Sequence, residues 1–193
     1  TSITSQIASE MASNSQIENG KILPKWGILG AGAMGWLWTY YLQRAKISTL
    51  LLQRQNTSYR ECIIQKDNIF ENCRTSAIKS DNPCLPALDA LIIAAKAYSV
   101  RSALLPLQEV LSSKQIPIIL LQNGLGVFEE VRQLLPEQPI LILSTSNGAY
   151  WHESAFLKLT GIGSSYFGTL DSSVPDSMKQ VLLKQLKATG LPV

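Results

Sequence analysis

Thr1–Gly20 carries no apolar periodicity and is rich in Ser, Gln, Asn and Thr, so residues 1–24 read as a polar leader. From Trp26 onward short apolar runs alternate with segments whose apolar residues recur every three or four positions. That alternation predicts a parallel α/β sheet. Lys25–Leu29 is expected as the first strand and Ser48–Leu52 as the second. Between them Met34, Leu37, Trp38, Tyr41 and Leu42 stripe a helix over Ala33–Arg44. Cys62–Gln65 and Ile69–Ile78 predict a strand pair around Lys66-Asp67-Asn68. Leu88–Ala95 contains a wholly apolar strand, as expected where helices cover both faces. The helical stretch after it runs to about Ser112 and should break near Pro106. Ile116–Leu121 and Ile140–Leu143 predict two more buried strands, with a helix over about Val127–Leu135 between them. Ala155–Thr160 and Ser165–Leu170 flank Gly161-Ile162-Gly163, which predicts an antiparallel hairpin turning at the glycines. Pro175 opens a last helix, with Gly190 as its C-terminal cap.

Composition narrows the chemistry. The chain has 193 residues, 46% of them apolar and 16% charged, which suits one ordinary domain with a real core. A net charge of +3, scattered along the chain, is no nucleic-acid footprint. No apolar run approaches the roughly 18 residues of a membrane span, and the leader lacks the basic start and apolar stretch of a signal peptide. The single histidine, His152, excludes two-His and three-His metal sites within one chain, so no metal is expected. Cys62, Cys73 and Cys84 form an odd set with no C-x-x-C, which predicts reduced thiols and a cytoplasmic protein. Their equal spacing carries no evident meaning in the sequence.

The strongest chemical signal is Gly30-Ala31-Gly32-Ala33-Met34-Gly35, placed directly after an apolar strand and opening an apolar-striped helix. Gly30 permits the tight turn, Gly32 lets a pyrophosphate approach the backbone, and Gly35 lets helix and strand pack closely. The free N–H groups and positive end of the helix then stabilise the phosphates. This predicts a Rossmann-type, doubly wound, mostly parallel sheet with an antiparallel edge hairpin, over residues 25–193. The second strand ends Gln53-Arg54-Gln55-Asn56. An NAD-binding fold usually carries a carboxylate there for the ribose 2′-hydroxyl. Arg54 can pair instead with a 2′-phosphate, so NADP(H) is the expected cofactor. Ligands of open α/β sheets bind at the carboxyl ends of strands. Lys96, Gln122-Asn123-Gly124 and Ser144–Gly148 follow three such ends. There is no Tyr-x-x-x-Lys pair for short-chain dehydrogenase chemistry, and His152 has no obvious orienting partner.

These residues resemble the N-terminal NADP-binding domain of the ketopantoate reductase (2-dehydropantoate 2-reductase) family, over about residues 25–193. The glycine loop Gly30–Gly35, Arg54, Lys96-Ala97-Tyr98, Asn123-Gly124-Leu125-Gly126 and the pair Glu129-Glu130 appear in the family's order. The resemblance implies that Lys96 and Asn123 contact the nicotinamide ribose region, that Asn123 also reaches the substrate, and that Ala149 lies beside the cofactor. Several members have Gln three residues after the lysine, where this chain has Ser99, and many have another residue in place of Gln122. The family's proton donor is a lysine on a helical C-terminal domain, so no catalytic residue is expected before Val193 and that helical domain is expected to be absent. The implied function is NADPH-dependent reduction of ketopantoate, a 2-keto acid, in pantothenate and coenzyme A biosynthesis, with homodimerisation through the missing domain. A non-catalytic NADP(H)-sensing module and a related two-domain hydroxyacid or imine reductase stay open as alternatives.

Overall fold

The structure, a computed structural model, describes residues 17–18, 21–121, 125–153 and 155–193. Where the polar leader is expected, β1 (Ile17–Glu18) and β2 (Lys21–Ile22) pair as a small antiparallel ribbon. The main sheet is built from β3 (Lys25–Leu29), β4 (Ser48–Gln53), β5 (Tyr59–Lys66), β6 (Ile69–Lys79) and β7 (Ala90–Ile93). It continues with β8 (Ile118–Leu120), β9 (Ile140–Thr145), β10 (Ala149–His152), β11 (Phe156–Leu159) and β12 (Ser165–Gly168). The strand order is β10-β11-β5-β6-β4-β3-β7-β8-β9-β12. The six strands from β6 to β9 in that order are parallel, whereas β5, β10 and β12 each join a neighbour antiparallel. The mostly parallel, Rossmann-like sheet with antiparallel edge pairs is therefore present.

Helices fill both faces. On one side lies α1 (Ala33–Arg44), of which every residue from Gly35 to Leu42 is buried. A helix apolar all round must be enclosed rather than laid on a surface. Trp36, Leu37 and Trp38 share a core with Trp26 and Ile28 of β3, Leu141 of β9 and Leu157 of β11. At about 1.5–3 kcal/mol per fully buried large side chain, this helix anchors that half of the fold. Two of its polar side chains are matched: Thr39 Oγ1 donates to the Gly35 carbonyl at 2.8 Å and the Tyr40 hydroxyl to Glu71 Oε2 at 2.8 Å, while the buried Trp38 Nε1 has no partner among the described residues. On the opposite face lie α2 (Val100–Leu104), α3 (Gln108–Lys114) and α4 (Leu125–Leu134). Val100, Leu104, Leu111 and Val131 close the second core against β7 and β8. The expected break at Pro106 is a 3-10 turn over Leu105–Leu107. The last helix, α5 (Asp176–Ala188), follows Pro175 and ends before Gly190, whose φ of 79° needs a residue without Cβ.

The expected hairpin turning at Gly161-Ile162-Gly163 is not what forms. β11 pairs with β10 and β12 pairs with β9, so the two strands flanking those glycines sit at opposite ends of the sheet. The hairpin turns at Glu153 instead, with a left-handed φ of 49°, and Ala155 N–H donates to the His152 carbonyl at 2.9 Å. The glycines form a bulge in the middle of this long hairpin. Thr160 N–H donates to the Gly148 carbonyl and Ser146 N–H to the Ser164 carbonyl, which leaves Gly161–Gly163 facing Asn147 alone. Extra residues on one strand bend it sharply. The bend carries the chain from β9, near one end of the strand order, to β10 at the other, across residues 146–148 only. The sheet consequently curls as a half-barrel around α1.

The cysteine spacing also acquires a meaning. Cys62 on β5 and Cys73 on β6 are register partners across the strand pair. Cys62, Cys73 and Cys84 are all free thiols. Burial pushes Cys62 up to about 12 and Cys73 up to about 11, so both stay protonated and unreactive near neutrality. Among the described residues, no helix is long and apolar enough to cross a membrane.

Candidate functional site: a glycine loop opening onto a cationic cleft

The glycine loop is fastened between two neighbouring strands. Gly30 N–H donates to the Leu52 carbonyl at 3.2 Å, and Ala94 N–H donates to the Leu29 carbonyl at 2.8 Å. Gly30 has φ +115°, and a Cβ there would sit 3.0 Å from the Ala94–Ala95 peptide. A Cβ at Gly35 would overlap the Gly30 carbonyl oxygen, so the first turn of α1 lies directly on the loop. Gly32 differs: a Cβ there would meet nothing within 4 Å. The loop thus packs tightly at both ends and is open in the middle. α1 starts at this opening with no side-chain cap and no acidic residue in its first turn. Its first N–H groups and the positive end of its dipole have no partner within the helix. Backbone open on one side, beside an uncapped helix start, can accept a pyrophosphate.

A cleft of about 560 Å³ begins at Gly30 and Ala31. The end of β4 contributes Gln53, Arg54 and Gln55, the start of β5 contributes Arg60, and the end of β6 contributes Lys79, Ser80 and Asp81. Lys96 and Ser99 line it from the turn after β7. Four of the five charged lining residues are cations. Lys79 is paired with Asp81 at 2.8 Å, and that ammonium holds the Asp81 carboxyl below its usual range. Arg54 is exposed and makes no hydrogen bond or ion pair with its side chain among the described residues. No carboxylate stands at the end of β4. The lining suits a polyanionic ligand.

Four of the ten expected cofactor-binding residues line this cleft. They are Gly30, Ala31, Arg54 and Lys96, whereas Gly32, the next residue of the loop, is exposed and is not a lining residue. Ala33 and Met34 are half-buried and pack on the core around α1. Ala149 packs on that same core and is not a lining residue of the cleft. Asn123, with Gln122 and Gly124, lies outside the described residues. The third strand end, Ser144–Gly148, is spent on the bend. Asn147 is buried, its amide donates to Thr145 Oγ1 at 2.9 Å and Ser165 Oγ at 3.2 Å, and its carbonyl accepts Gly163 N–H at 2.8 Å. His152 is exposed and stacks on its strand partner Phe156 at 4.8 Å, with no carboxylate to orient it among the described residues. Among the described residues, no group of His, Cys, Asp or Glu could hold a metal ion.

Arg60 and Lys79 are cleft residues that the sequence reading did not single out. Lys79 was within reach of it: β6 is parallel to β4, so its carboxyl end shares the edge where ligands bind. Arg60 becomes visible only once β5 is known to run back from that edge.

Comparison with known proteins agrees with this architecture. The family model described as "Ketopantoate reductase PanE/ApbA" matches residues 26–172. A protein of Vibrio cholerae named 2-dehydropantoate 2-reductase is 30% identical over 145 residues, covering 75% of this chain and 47% of its own length. One of that name from Listeria innocua is 29% identical over 163 residues, covering 81% and 53%. The chain spans about half the length of these curated relatives. Among solved structures, the putative 2-dehydropantoate 2-reductase of Enterococcus faecalis superposes with a TM-score of 0.73 at 21% identity, over 87% of this chain and 55% of the other. D-mandelate dehydrogenase with NADH and anilino(oxo)acetate superposes equally well, at 0.73 and 21% over the same shares. At that identity the structural likeness establishes the fold, and the match over residues 26–172 establishes the lineage: the chain belongs to the ketopantoate reductase family.

Proposed function

We propose that this chain is the cofactor-binding half of an NADPH-dependent 2-dehydropantoate 2-reductase, which reduces ketopantoate to pantoate on the route to pantothenate and coenzyme A. Residues 25–193 form its NADP(H)-binding domain, preceded by a polar leader over 1–24, in a cytoplasmic enzyme that dimerises through its other half. The observation that carries this reading is the cleft that runs from Gly30 and Ala31, beside the open Gly32, to Arg54, a cation where a ribose-binding carboxylate would otherwise stand.

Gly30, Ala31, Gly32, Ala33, Met34 and Gly35 cradle the pyrophosphate, and Arg54 binds the 2′-phosphate through its planar fork. Lys96, Asn123 and Ala149 serve the nicotinamide end, and Asn123 also faces the keto acid. The bound nicotinamide supplies a hydride to the substrate carbonyl. The negative charge developing on that oxygen needs a proton, and in this reading the donor is a lysine of the other half. The substrate cleft likewise lies between the halves.

Titration with NADPH and NADH, followed by NADPH oxidation with ketopantoate, tests the proposal. The chain binds NADPH but does not turn over ketopantoate, whereas a version carrying a helical second half does. Robust turnover by the chain alone would move the proton donor onto Lys96 or His152. Inactivity of both versions would leave a cofactor-sensing module.

A further inference from the structure

Arg60 is the second guanidinium of the cleft, and its surroundings are unusual for an arginine. Its Nη1 donates to Gln53 Oε1 at 2.6 Å and to Gln55 Oε1 at 2.8 Å. Gln53 is itself buried and fixed from its other end, since its Nε2 donates to Thr57 Oγ1 at 2.7 Å. Two amide oxygens therefore hold the guanidinium in place without neutralising it. Three other anchored cations, by contrast, meet carboxylates: Arg44 meets Glu71, Lys79 meets Asp81, and Arg132 meets Asp171. Among the described residues Arg60 has no carboxylate partner. One nitrogen is used up in orientation, which leaves the rest of a planar donor fork lining the cleft that Arg54 lines. A half-buried guanidinium that keeps its full charge is matched by an anion arriving from outside.

We infer that Arg60, oriented by Gln53 and Gln55, is a second reader of the cofactor's 2′-phosphate, so that the phosphate is held between two guanidinium groups. The inference rests on the proposed NADP(H) site and adds a specificity-determining residue to it. The Arg54 side chain is exposed and makes no hydrogen bond or ion pair among the described residues, whereas Arg60 is pre-positioned, so the contribution of Arg60 costs less side-chain entropy on binding.

The test is the pair of dissociation constants for NADPH and NADH, measured on the wild-type chain, Arg60→Ala and Arg60→Lys, with thermal melting to show that each is folded. Arg60→Ala weakens NADPH by about tenfold or more, the worth of a charge-assisted hydrogen bond, and leaves NADH within about twofold. Arg60→Lys restores part of the loss, because it returns the charge without the fork. Equal weakening of both cofactors would overturn the inference, since Arg60 would then only shape the loop. An unchanged NADPH-to-NADH ratio would overturn it too, while leaving the NADP(H) site standing. A wild-type chain that binds neither cofactor, or both equally, would remove the site itself and the inference with it.

Discussion

A side chain added at Gly32 would meet nothing within 4 Å, whereas one added at Gly163 would lie 2.6 Å from the Ser146 carbonyl carbon and 2.8 Å from the Asn147 nitrogen. Both glycines belong to close-set clusters, Gly30-Ala31-Gly32 and Gly161-Ile162-Gly163. Each cluster permits a close approach to the backbone. At Gly163 the approaching group is the chain itself, whereas at Gly32 the space is left open. The neighbourhoods explain the difference. The first cluster opens a helix with no acidic residue in its first turn, and among the described residues no side chain caps that helix start. The second faces Asn147, Thr145 and Ser165, whose polar groups close on one another and on Gly163. A glycine cluster therefore marks a site only where its polar groups are left without an internal partner.

Substitutions sharpen this contrast, beginning with the largest effect. Gly35→Ala should cost about 3 kcal/mol or more in urea unfolding, because the methyl group overlaps the Gly30 carbonyl and neither the helix nor the loop can yield. An undiminished midpoint would mean that the loop and α1 are not in contact. Gly163→Ala should cost about 2 kcal/mol by the same measurement, while Gly161→Ala, with nothing within 4 Å, should stay within about 0.5 kcal/mol. Equal effects at the two positions would return the segment to an ordinary turn. Asn147→Ala should cost about 1–2 kcal/mol, because it strands the Gly163 N–H and removes the amide's bonds to the Thr145 and Ser165 hydroxyls. Arg54→Ala should leave the melting temperature alone and reduce a preference of at least about tenfold for NADP(H), some 1.4 kcal/mol, in a two-cofactor titration. Retention of the full preference would remove Arg54 from the phosphate site.

Local signals were legible wherever one element explained them. Lys25–Leu29 and Ala33–Arg44 form with the predicted bounds, because an apolar strand, a glycine loop and an apolar helix each declare themselves within a few residues. Pro106 breaks its helix for the same local reason. The burial of Trp36, Thr39 and Tyr40 on the supposedly outer side of α1 was not legible, since it depends on the hairpin that wraps around that helix. That hairpin was misplaced because the Gly161-Ile162-Gly163 bulge and a turn share the same composition. The true turn at Glu153 uses a left-handed residue that is not glycine. Within the site, the glycine loop, Arg54 and Lys96 could be read from strand ends. Arg60 could not, because it reaches the cleft only through the antiparallel return of β5 and the two glutamines that hold it.

The most direct test of the open loop is the effect of saturating NADPH on thermal unfolding of the wild-type chain and of Gly32→Val. The wild type should melt roughly 5–10 °C higher with NADPH at about a hundred times its dissociation constant. Without cofactor, Gly32→Val should melt with the wild type, because its side chain enters empty space. With cofactor it should show no shift, because its side chain would fill the space proposed for the pyrophosphate. A Gly32→Val protein stabilised by NADPH as strongly as the wild type would contradict the account, and would place the phosphates elsewhere on the molecule.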